Sequence, residues 1–371
     1  MHLEADANRD TLSGDDYWSP DVFAEERRLI FHAGWFYACH ADSLPAGHRR
    51  VVDVAGESVI VARDVDGSLH AHANVCRHRG SQLCDVAPEH EPAKGAIRCP
   101  YHAWTYGLAG ELRATPRVDD EIDRSALGLW PRHVGECNGM VFVSVADEPG
   151  DLDEWVHTHT SWKGVFDDLP LAALKVGART VSHVRANWKI LLENYQECLH
   201  CAVVHPELVD LVPIYRTGNV VDDTRPDGAV SLTAGSNSFT LDGTSGLSLL
   251  PGISDDLVNV YRGGTVFPTV MLDVTATSAS ITALFPSGPD STTVIAEYLF
   301  TAEDVAAEGF DPTDVVNFNE LVGRQDYEVC ERVQRGVASS AFTTGVLTAK
   351  DRYVVDFVEH YRNIMRTRGD T

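Results

Sequence analysis

The sequence is poor in positive charge. Lys and Arg together number 30 against 55 Asp and Glu, so the formal net charge at pH 7 is -25. Nucleic acids and anionic membrane surfaces are polyanions, and a strongly acidic chain is repelled by both. We therefore expect no nucleic acid and no membrane among the partners of this protein.

Long apolar runs are also lacking. No stretch is long enough to span a bilayer, and residues 1–15 carry neither the basic flank nor the apolar run of a signal peptide. Eight cysteines would allow disulfides, but a large chain without an export signal does not need them. We expect a cytoplasmic protein whose cysteines are metal ligands or buried thiols.

The length and the pattern of segments predict an α+β protein with more than one domain. A chain of 371 residues exceeds the size at which one core usually stops growing. Ser19, Pro20 and Asp21 predict a helix start, with the helix ending near Phe31. Short β-branched runs alternate with turn pairs such as Asp66-Gly67 in the first half of the chain, which predicts a small all-β unit there. We place a helical N-terminal segment at 1–40, this all-β domain at 41–150 and a larger domain, with an antiparallel sheet flanked by helices, at 151–371.

The larger domain is predicted element by element. Strands are expected near 176–184, 265–274, 279–285 and 292–300, one amphipathic helical stretch at 187–204, and long helices at 312–334 and 350–367. Residues 220–256 are rich in Gly, Ser, Asp and Thr and show little periodicity, so they predict a loop or lid at a substrate site.

Two Cys/His pairs stand in the small β domain. Cys76-Arg77-His78 and Cys99-Pro100-Tyr101-His102 offer two thiolates and two imidazoles. This is the ligand set of a Rieske [2Fe–2S] cluster, in which one iron takes the cysteines and the other takes the histidines. A structural Cys₂His₂ zinc site is the alternative, although zinc sites more often pair two cysteines. Cys84 lies off both pairs and is interpreted as a buried thiol.

A second group of potential ligands lies in the larger domain. His200 and His205 are five residues apart and would point about 140° from each other on a regular helix. To share one metal they need a π-bulge or a helix end between them. Glu197 stands three residues before His200, so on a helix it would hydrogen-bond the ring of that histidine. The alternative is that both histidines are ordinary half-buried residues.

Together these segments resemble a known family. Asn74–Gly80, Cys99–Trp104, Glu193-Asn194 and His205-Pro206 are similar to the alpha subunits of Rieske non-haem iron ring-hydroxylating oxygenases. The resemblance runs through nearly the whole chain. It implies a Rieske domain followed by a catalytic domain in which a mononuclear iron uses O₂ to oxidise a small organic substrate.

The resemblance also implies roles for single residues. His200 and His205 fall on iron-ligand positions, Asn194 lies beside the metal, and Asp326 falls on the position of the third ligand. Two histidines and a carboxylate form the facial triad of non-haem iron oxygenases. Local alternatives to Asp326 remain open: Glu320, Glu328 and Glu331.

Partners follow from the same family. Its members receive electrons, originally from NAD(P)H, through a flavin- or ferredoxin-type reductase, and they assemble as ring-shaped trimers. An acid at the position of Glu197 joins the two metal sites across the subunit interface, and the matching cluster histidine is His102. Most members carry Asp there, whereas this chain carries the longer Glu.

One branch of the family is closest in motif. Glu197-Cys198-Leu199-His200-Cys201 resembles the E-C-Y-H-C of the choline, glycine betaine and carnitine monooxygenases, with Leu199 in place of the aromatic residue. This favours N-demethylation or hydroxylation of a quaternary amine, with hydroxylation or O-demethylation of an aromatic acid as the alternative. A plain electron carrier would need only the first domain. Candidate aromatic pocket residues are Tyr215, Phe239, Tyr261, Phe267 and Phe285.

Overall fold

The computed structural model describes residues 9–86, 92–118, 122–161, 168–225 and 228–366. Within these ranges the strands are β1 Arg9–Asp10, β2 Phe36–His40, β3 His48–Val54, β4 Glu57–Arg63, β5 Leu69–Ala73, β6 Ala93–Lys94, β7 Ile97–Arg98, β8 Thr105–Tyr106, β9 Leu112–Ala114, β10 Pro131–Cys137, β11 Met140–Ser144, β12 Lys175–Val184, β13 Val230–Ser231, β14 Val260–Val266, β15 Val270–Val274, β16 Ala279–Gly288, β17 Ser291–Phe300 and β18 Val346–Leu347. The α-helices are α1 Gly14–Trp18, α2 Pro20–Glu26, α3 Leu152–His159, α4 Trp188–Tyr195, α5 Cys201–Val204, α6 Pro206–Leu211, α7 Ala302–Ala306, α8 Thr313–Val337 and α9 Arg352–Arg366. The predicted α+β class is confirmed.

The chain forms two compact units, Phe31–His159 and Met1–Ile30 with Thr160–Thr371. These limits differ from the predicted boundaries after residues 40 and 150. Strand β2 joins the smaller unit because it pairs with β11, and helix α3 joins it because Leu152 packs against Gly135 of β10. The division into functional domains at 1–40, 41–150 and 151–371 remains a prediction.

The smaller unit is built of two antiparallel sheets. Seven strands follow the order β2-β11-β10-β5-β4-β3-β6, and three short strands follow the order β7-β8-β9. The predicted turn at Asp66-Gly67 joins β4 to β5, with Gly67 at a positive φ of 92°. Apolar residues of both sheets, among them Ile60, Ile97 and Tyr106, form a core that also contains Cys76 and Cys99.

The larger unit contains a six-stranded antiparallel sheet in the order β12-β17-β16-β15-β14-β13. The prediction of one strand over 265–274 was wrong. A turn after Val266 separates β14 from β15, and the two strands pair with Val266 opposite Val270. The apolar pattern continues through the turn because both strands are buried, so periodicity gives no sign of the break.

The amphipathic stretch at 187–204 is not one helix. Asn187 caps α4 by accepting the backbone N–H of Lys189 at 2.9 Å, and α4 ends at Tyr195. Residues 196–200 form a turn before the short helix α5, which is followed by α6. The prediction of a continuous helix is therefore wrong, and two helix ends lie beside the histidine motif.

Helix α4 is anchored by a buried ion pair. Lys189 Nζ contacts Glu26 Oε1, and both side chains are completely buried. The indole N–H of Trp188 donates to Glu26 Oε2 at 3.0 Å, and the hydroxyl of Tyr361 donates to Oε1 at 2.7 Å. Buried charges are tolerated when their partners and hydrogen bonds are all present. This network ties α4 to α2 and α9.

The other predicted helices agree closely with the structure. Ser19 caps α2 and accepts the N–H of Val22, and one turn of π-helix continues this segment to Phe31. Helices α8 and α9 lie within a few residues of their predicted limits. In the part of the chain that the structure describes, no helix combines the length and apolar content that crossing a membrane would require.

The expectation that the cysteines are only ligands or thiols was wrong for one pair. Cys198 and Cys201 form a disulfide, because the turn between α4 and α5 brings their Cα atoms to 5.0 Å. Cys84 carries a free thiol that is half-buried rather than fully buried.

Candidate active site

The two Cys/His pairs lie in two turns of the same form. Each turn begins at a cysteine whose carbonyl accepts an N–H four residues later: Gly80 to Cys76 at 3.0 Å and Ala103 to Cys99 at 3.1 Å. Gly80 and Ala103 both adopt left-handed backbone conformations, with φ of 71° and 60°. The chain thus repeats one ligand-presenting turn, once with glycine and once with alanine at its end.

The turns bring the four side chains together. Cys76 and Cys99 are within hydrogen-bonding reach of each other, and the ring centroids of His78 and His102 are 4.8 Å apart. His102 Nδ1 is buried and has no hydrogen-bond partner among the described residues. An imidazole nitrogen in that position is free to ligate a metal, so this set fits a Rieske cluster.

The two thiols have different electrostatic surroundings. Burial raises the pKa of Cys76. Burial acts on Cys99 in the same direction, but the backbone N–H groups of Tyr101 and His102 outweigh it and lower the pKa of that thiol. Backbone donors that stabilise a thiolate favour metal ligation, because the thiolate is the ligating form.

Three candidate ligands of the larger unit converge. One donor atom each from His200, His205 and Asp326 lie within 4.8 Å of one another. Asp326 Oδ1 is 2.8 Å from His205 Nε2 and 3.3 Å from His200 Nε2. Two imidazoles and one carboxylate on one side of a shared point are the donor set of a facial triad.

The spacing of the two histidines is accommodated by helix ends. His200 precedes α5, and His205 lies between α5 and α6. Their ring centroids are 5.2 Å apart. Of the two predicted possibilities, a π-bulge or a helix end, the structure has the helix end. Pro206 is the first residue of α6, so the helix is interrupted at His205.

Neighbouring side chains orient the rings of both histidines. Glu197 Oε1 lies 2.5 Å from His200 Nδ1, although Glu197 is in the turn and not, as predicted, on a helix. Gln325 Oε1 lies 2.8 Å from His205 Nδ1, and the Gln325 amide donates to Glu207 at 3.1 Å. With Nδ1 engaged in this way, Nε2 of each ring faces the shared point.

The alternatives to Asp326 have other roles. Glu331 pairs with Arg185, Glu320 accepts the hydroxyl of Thr180 at 2.8 Å, and Glu328 is exposed. Asn194 Nδ2 lies 3.2 Å from His200 Nε2, beside the converging donor atoms.

The electrostatics favour positive charge at the triad. Burial alone would lower the pKa of His200, but hydrogen bonds with Asp326 and Glu197 outweigh burial and raise its pKa to about 9. For Asp326, burial would raise the pKa, but His200 and His205 outweigh it and lower that pKa. The groups around His200 and Asp326 thus stabilise a bound proton, and they would stabilise a divalent cation at the same place.

A cavity of about 320 Å³ adjoins the triad. This volume is at the lower end of the range for small-molecule pockets. The six-stranded sheet forms one wall of the cavity. Residues of β14 to β17 line it mostly at alternate positions, because the side chains of a strand alternate between its two faces. From the segment predicted as a loop or lid, the described residues that line it are Val220, Val221, Gly228 and Phe239.

The predicted aromatic residues divide into two groups. Tyr215, Phe239 and Tyr261 line the cavity, whereas Phe267 packs against Trp188 and Phe285 is buried elsewhere. Sequence reasoning did not select several further lining residues: Tyr195, Tyr298, Phe318, Tyr327, Tyr353 and Asp273. Strand alternation could have pointed to Asp273 and Tyr298, had the strand limits been known.

Comparisons with known proteins agree with this geometry. Residues 34–129 match the family model of the Rieske [2Fe-2S] domain, and residues 171–367 match that of the ring hydroxylating alpha subunit, catalytic domain. The glycine betaine monooxygenase oxygenase subunit of Chromohalobacter salexigens is 30% identical, with 95% of this chain and 85% of the relative covered. The carnitine monooxygenase oxygenase subunit of Acinetobacter pittii is 29% identical, with 88% and 85% covered.

Solved structures show the same fold. The quaternary ammonium Rieske monooxygenase CntA in complex with L-carnitine superposes with a TM-score of 0.76 at 24% identity and 96% coverage of both chains. Naphthalene 1,2-dioxygenase from Rhodococcus sp. gives a TM-score of 0.70 at 21% identity, with 91% of this chain and 85% of that chain covered. The two domains imply a cluster and a mononuclear iron, and an oxygenase subunit implies a reductase partner. The chain belongs to the family of ring-hydroxylating alpha subunits and is a Rieske-type, O₂-dependent oxygenase.

Proposed function

We propose that this terminal oxygenase component oxidises a small quaternary ammonium compound by N-demethylation or hydroxylation. The observation that carries the proposal is the cavity in which aromatic rings adjoin the triad of His200, His205 and Asp326. Aromatic faces attract quaternary cations, each contact contributing roughly 0.5 to 2 kcal/mol. The names of the glycine betaine and carnitine relatives and the Glu-Cys-Leu-His-Cys segment support the same substrate class.

The ligand sets are assigned as follows. Cys76 and Cys99, with His78 and His102, would hold the [2Fe–2S] cluster, and the triad would hold the mononuclear iron. When bound, these groups supply electron transfer and O₂ activation, with electrons that a flavin- or ferredoxin-type reductase takes from NAD(P)H. For demethylation, one oxygen atom enters an N-methyl C–H bond and the other leaves as water, with two electrons and two protons. The N-hydroxymethyl product then releases formaldehyde.

The side chains around the triad have positioning roles. Glu197 fixes the tautomer of His200 through Nδ1, and Asn194 places an amide beside the open side of the triad. The enclosing walls exclude water and hold a substrate methyl group close to the triad. Glu197 and Asn194 do not bind the iron in this proposal, because Asp326 is its third protein ligand.

We further propose a homotrimer in which Glu197 couples the triad to His102 of the partner subunit. The support is the short contact of Glu197 with His200 together with the family resemblance. Glu197→Gln should retain both metals and slow electron transfer between them, because amide and carboxylate differ in charge but not in size. The readout is single-turnover oxidation of the reduced cluster.

Glu207→Gln is the matched control for this test. Glu207 reaches the other histidine, His205, only through Gln325, so its replacement should leave the transfer rate near that of the wild type. Equal rates for wild type and Glu197→Gln, at full iron content, would disprove the bridge.

The substrate class is tested with the holoenzyme and a reductase. Substrate-dependent NADH oxidation should occur with at least one of glycine betaine, choline, carnitine and stachydrine. It should be coupled to formaldehyde release if the reaction is N-demethylation and to a hydroxylated product if it is hydroxylation. If all four are inert and a benzoate-type acid is hydroxylated, the amine proposal fails and the oxygenase assignment stands.

A further inference from the structure

The cavity has an uneven charge balance. Four carboxyl groups line it: Glu197, Asp273, Glu320 and Asp326. Glu197 and Asp326 belong to the metal site, which leaves Asp273 and Glu320 on the remaining wall. Among the described residues that line the cavity there is no Lys and no Arg.

Asp273 is held in a fixed position. Strand register places it directly opposite Gly263 on β14 and Ser280 on β16. Its Oδ1 atom accepts the hydroxyl of Tyr261 at 2.6 Å and lies 2.9 Å from the hydroxyl of Tyr195. Its Oδ2 atom has only a long contact of 3.3 Å, from Ser280, among the described residues. One carboxylate oxygen therefore retains capacity for another partner.

Gly263 gives the two phenols their space. A Cβ atom on this residue would stand 2.2 Å from the hydroxyl oxygen of Tyr261 and 3.1 Å from that of Tyr195. A contact of 2.2 Å is impossible without movement of the ring. Only glycine leaves room for the two phenols to reach the same carboxylate. This arrangement indicates a preorganised binding site.

An ionised carboxylate in this place needs a counter-ion. Burial raises the pKa of Asp273, and the hydrogen bonds from Tyr261, Tyr195 and Ser280 only partly oppose it. Desolvation of an unpaired charge is costly, and a nearby cation offsets that cost. Positive charge at the triad is already faced by Asp326 and Glu197, and the described lining contains no Lys or Arg, so a bound ligand is the natural counter-ion of Asp273.

Aromatic rings stand beside the carboxylate. The ring centroid of Tyr261 lies 4.7 Å from that of Phe239 and 6.4 Å from that of Tyr215. Rings at these distances form a wall that an organic cation can contact through cation–π attraction. A simple metal ion would gain little from such a wall, whereas an alkylated ammonium group would gain both the rings and the carboxylate.

We propose that the substrate is an alkylated ammonium cation without a carboxylate, and that Asp273 is its counter-ion. This inference rests on the function proposed above and narrows it. Glycine betaine and carnitine, for which two relatives are named, are zwitterions. Beside Asp273 and Glu320 a substrate carboxylate would meet further carboxylates and, among the described lining residues, no Lys or Arg, so a choline-type amino alcohol fits better than a betaine.

The first test compares three probes on the wild-type holoenzyme by calorimetric titration. Choline is the cation, glycine betaine is the zwitterion, and 3,3-dimethyl-1-butanol is the neutral isostere of choline. Choline should bind about tenfold more tightly than either of the others. Glycine betaine binding as tightly as choline would overturn the proposal.

The second test uses Asp273→Asn, which keeps the size and most hydrogen bonds of the side chain. It should weaken choline binding about thirtyfold and leave 3,3-dimethyl-1-butanol unchanged. Glu320→Gln is the matched comparison and should have a much smaller effect, because Glu320 is already bonded to Thr180. Equal weakening of the cation and the isostere, or a larger effect of Glu320→Gln, would refute the role of Asp273.

Turnover separates this inference from the proposed function. If glycine betaine supports O₂-dependent NADH oxidation while choline does not, the function stands and the exclusion of carboxylates fails. If choline binding depends on Asp273 but no amine supports O₂-dependent NADH oxidation, the cation site stands and the proposed function fails.

Discussion

The two metal sites are assembled in opposite ways. Residues 76–102 contain all four candidate cluster ligands, held by two short turns with the same hydrogen bond. The triad draws on His200 and His205, which flank the short helix α5, and on Asp326 of the distant helix α8. A site made of turns is held by local backbone bonds, whereas a site made of helices depends on how those helices pack. The first should therefore tolerate distant changes that disable the second.

The largest expected effect is the selective loss of one metal. Asp326→Ala should reduce iron from about three to about two atoms per chain and abolish turnover, since the sites share no ligand. Cys99→Ser should instead remove the cluster and its electron paramagnetic resonance signal while the mononuclear iron remains. Iron analysis of both variants measures this. Glu328→Ala, an exposed change two residues from Asp326, is the control and should keep all the iron.

The next effect concerns the packing that supports the triad. Glu26→Ala leaves Lys189 buried without its partner, which should cost about 3 to 5 kcal/mol of unfolding free energy. Denaturant titration measures the loss, and iron at the triad should weaken while the cluster signal persists. Glu25→Ala breaks a solvent-exposed pair with Arg28 and should cost less than about 1 kcal/mol. Similar losses in both variants would contradict the role of the buried pair.

A third prediction concerns pH. Burial raises the pKa of Glu193 to about 7, against the weaker opposing effects of Tyr17 and Lys189. The folded chain then holds a proton that the unfolded chain releases near pH 4.3, so stability from this group is full at low pH and is lost as pH rises towards 7. Glu193→Gln should therefore raise stability by about 2 kcal/mol more at pH 8 than at pH 5.

Glu331→Gln provides the opposite case, on helix α8. Hydrogen bonds from Arg185 lower the pKa of Glu331, so its contribution is present at neutral pH and is lost as pH falls. Urea unfolding of both variants and the wild type at the two pH values measures the difference. A stabilisation by Glu193→Gln that does not change with pH would show that burial does not raise the pKa of this group.

The smallest effect compares the two cluster turns. Gly80→Ala places a side chain at a φ of 71°, and although a Cβ atom there meets open space, the conformation should cost about 1 kcal/mol. Ala103→Gly removes the same strain at a φ of 60° and should stabilise by about 0.5 kcal/mol. Thermal bleaching of the cluster absorbance measures both. If Gly80→Ala and Ala103→Gly shifted the bleaching temperature in the same direction, the two turns would not be equivalent.

Sequence reasoning was most successful where structure is local. The helix start at Ser19, the turn at Asp66-Gly67 and the limits of α8 and α9 depend on neighbours in the chain, and all were predicted closely. The break between α4 and α5 and the turn between β14 and β15 were missed, because their apolar patterns continue across the interruption.

The amino-acid sequence by itself determined the oxygenase family and the Cys/His pairs, because those ligands are fixed by short spacings and chain-local turns. It also singled out His200, His205 and Asp326, although only through the family motif. Tertiary structure alone decided that Asp273 lies opposite Gly263 and beside Tyr195 and Tyr261. Strand register sets such neighbours, and register depends on pairing between segments that are distant in the chain.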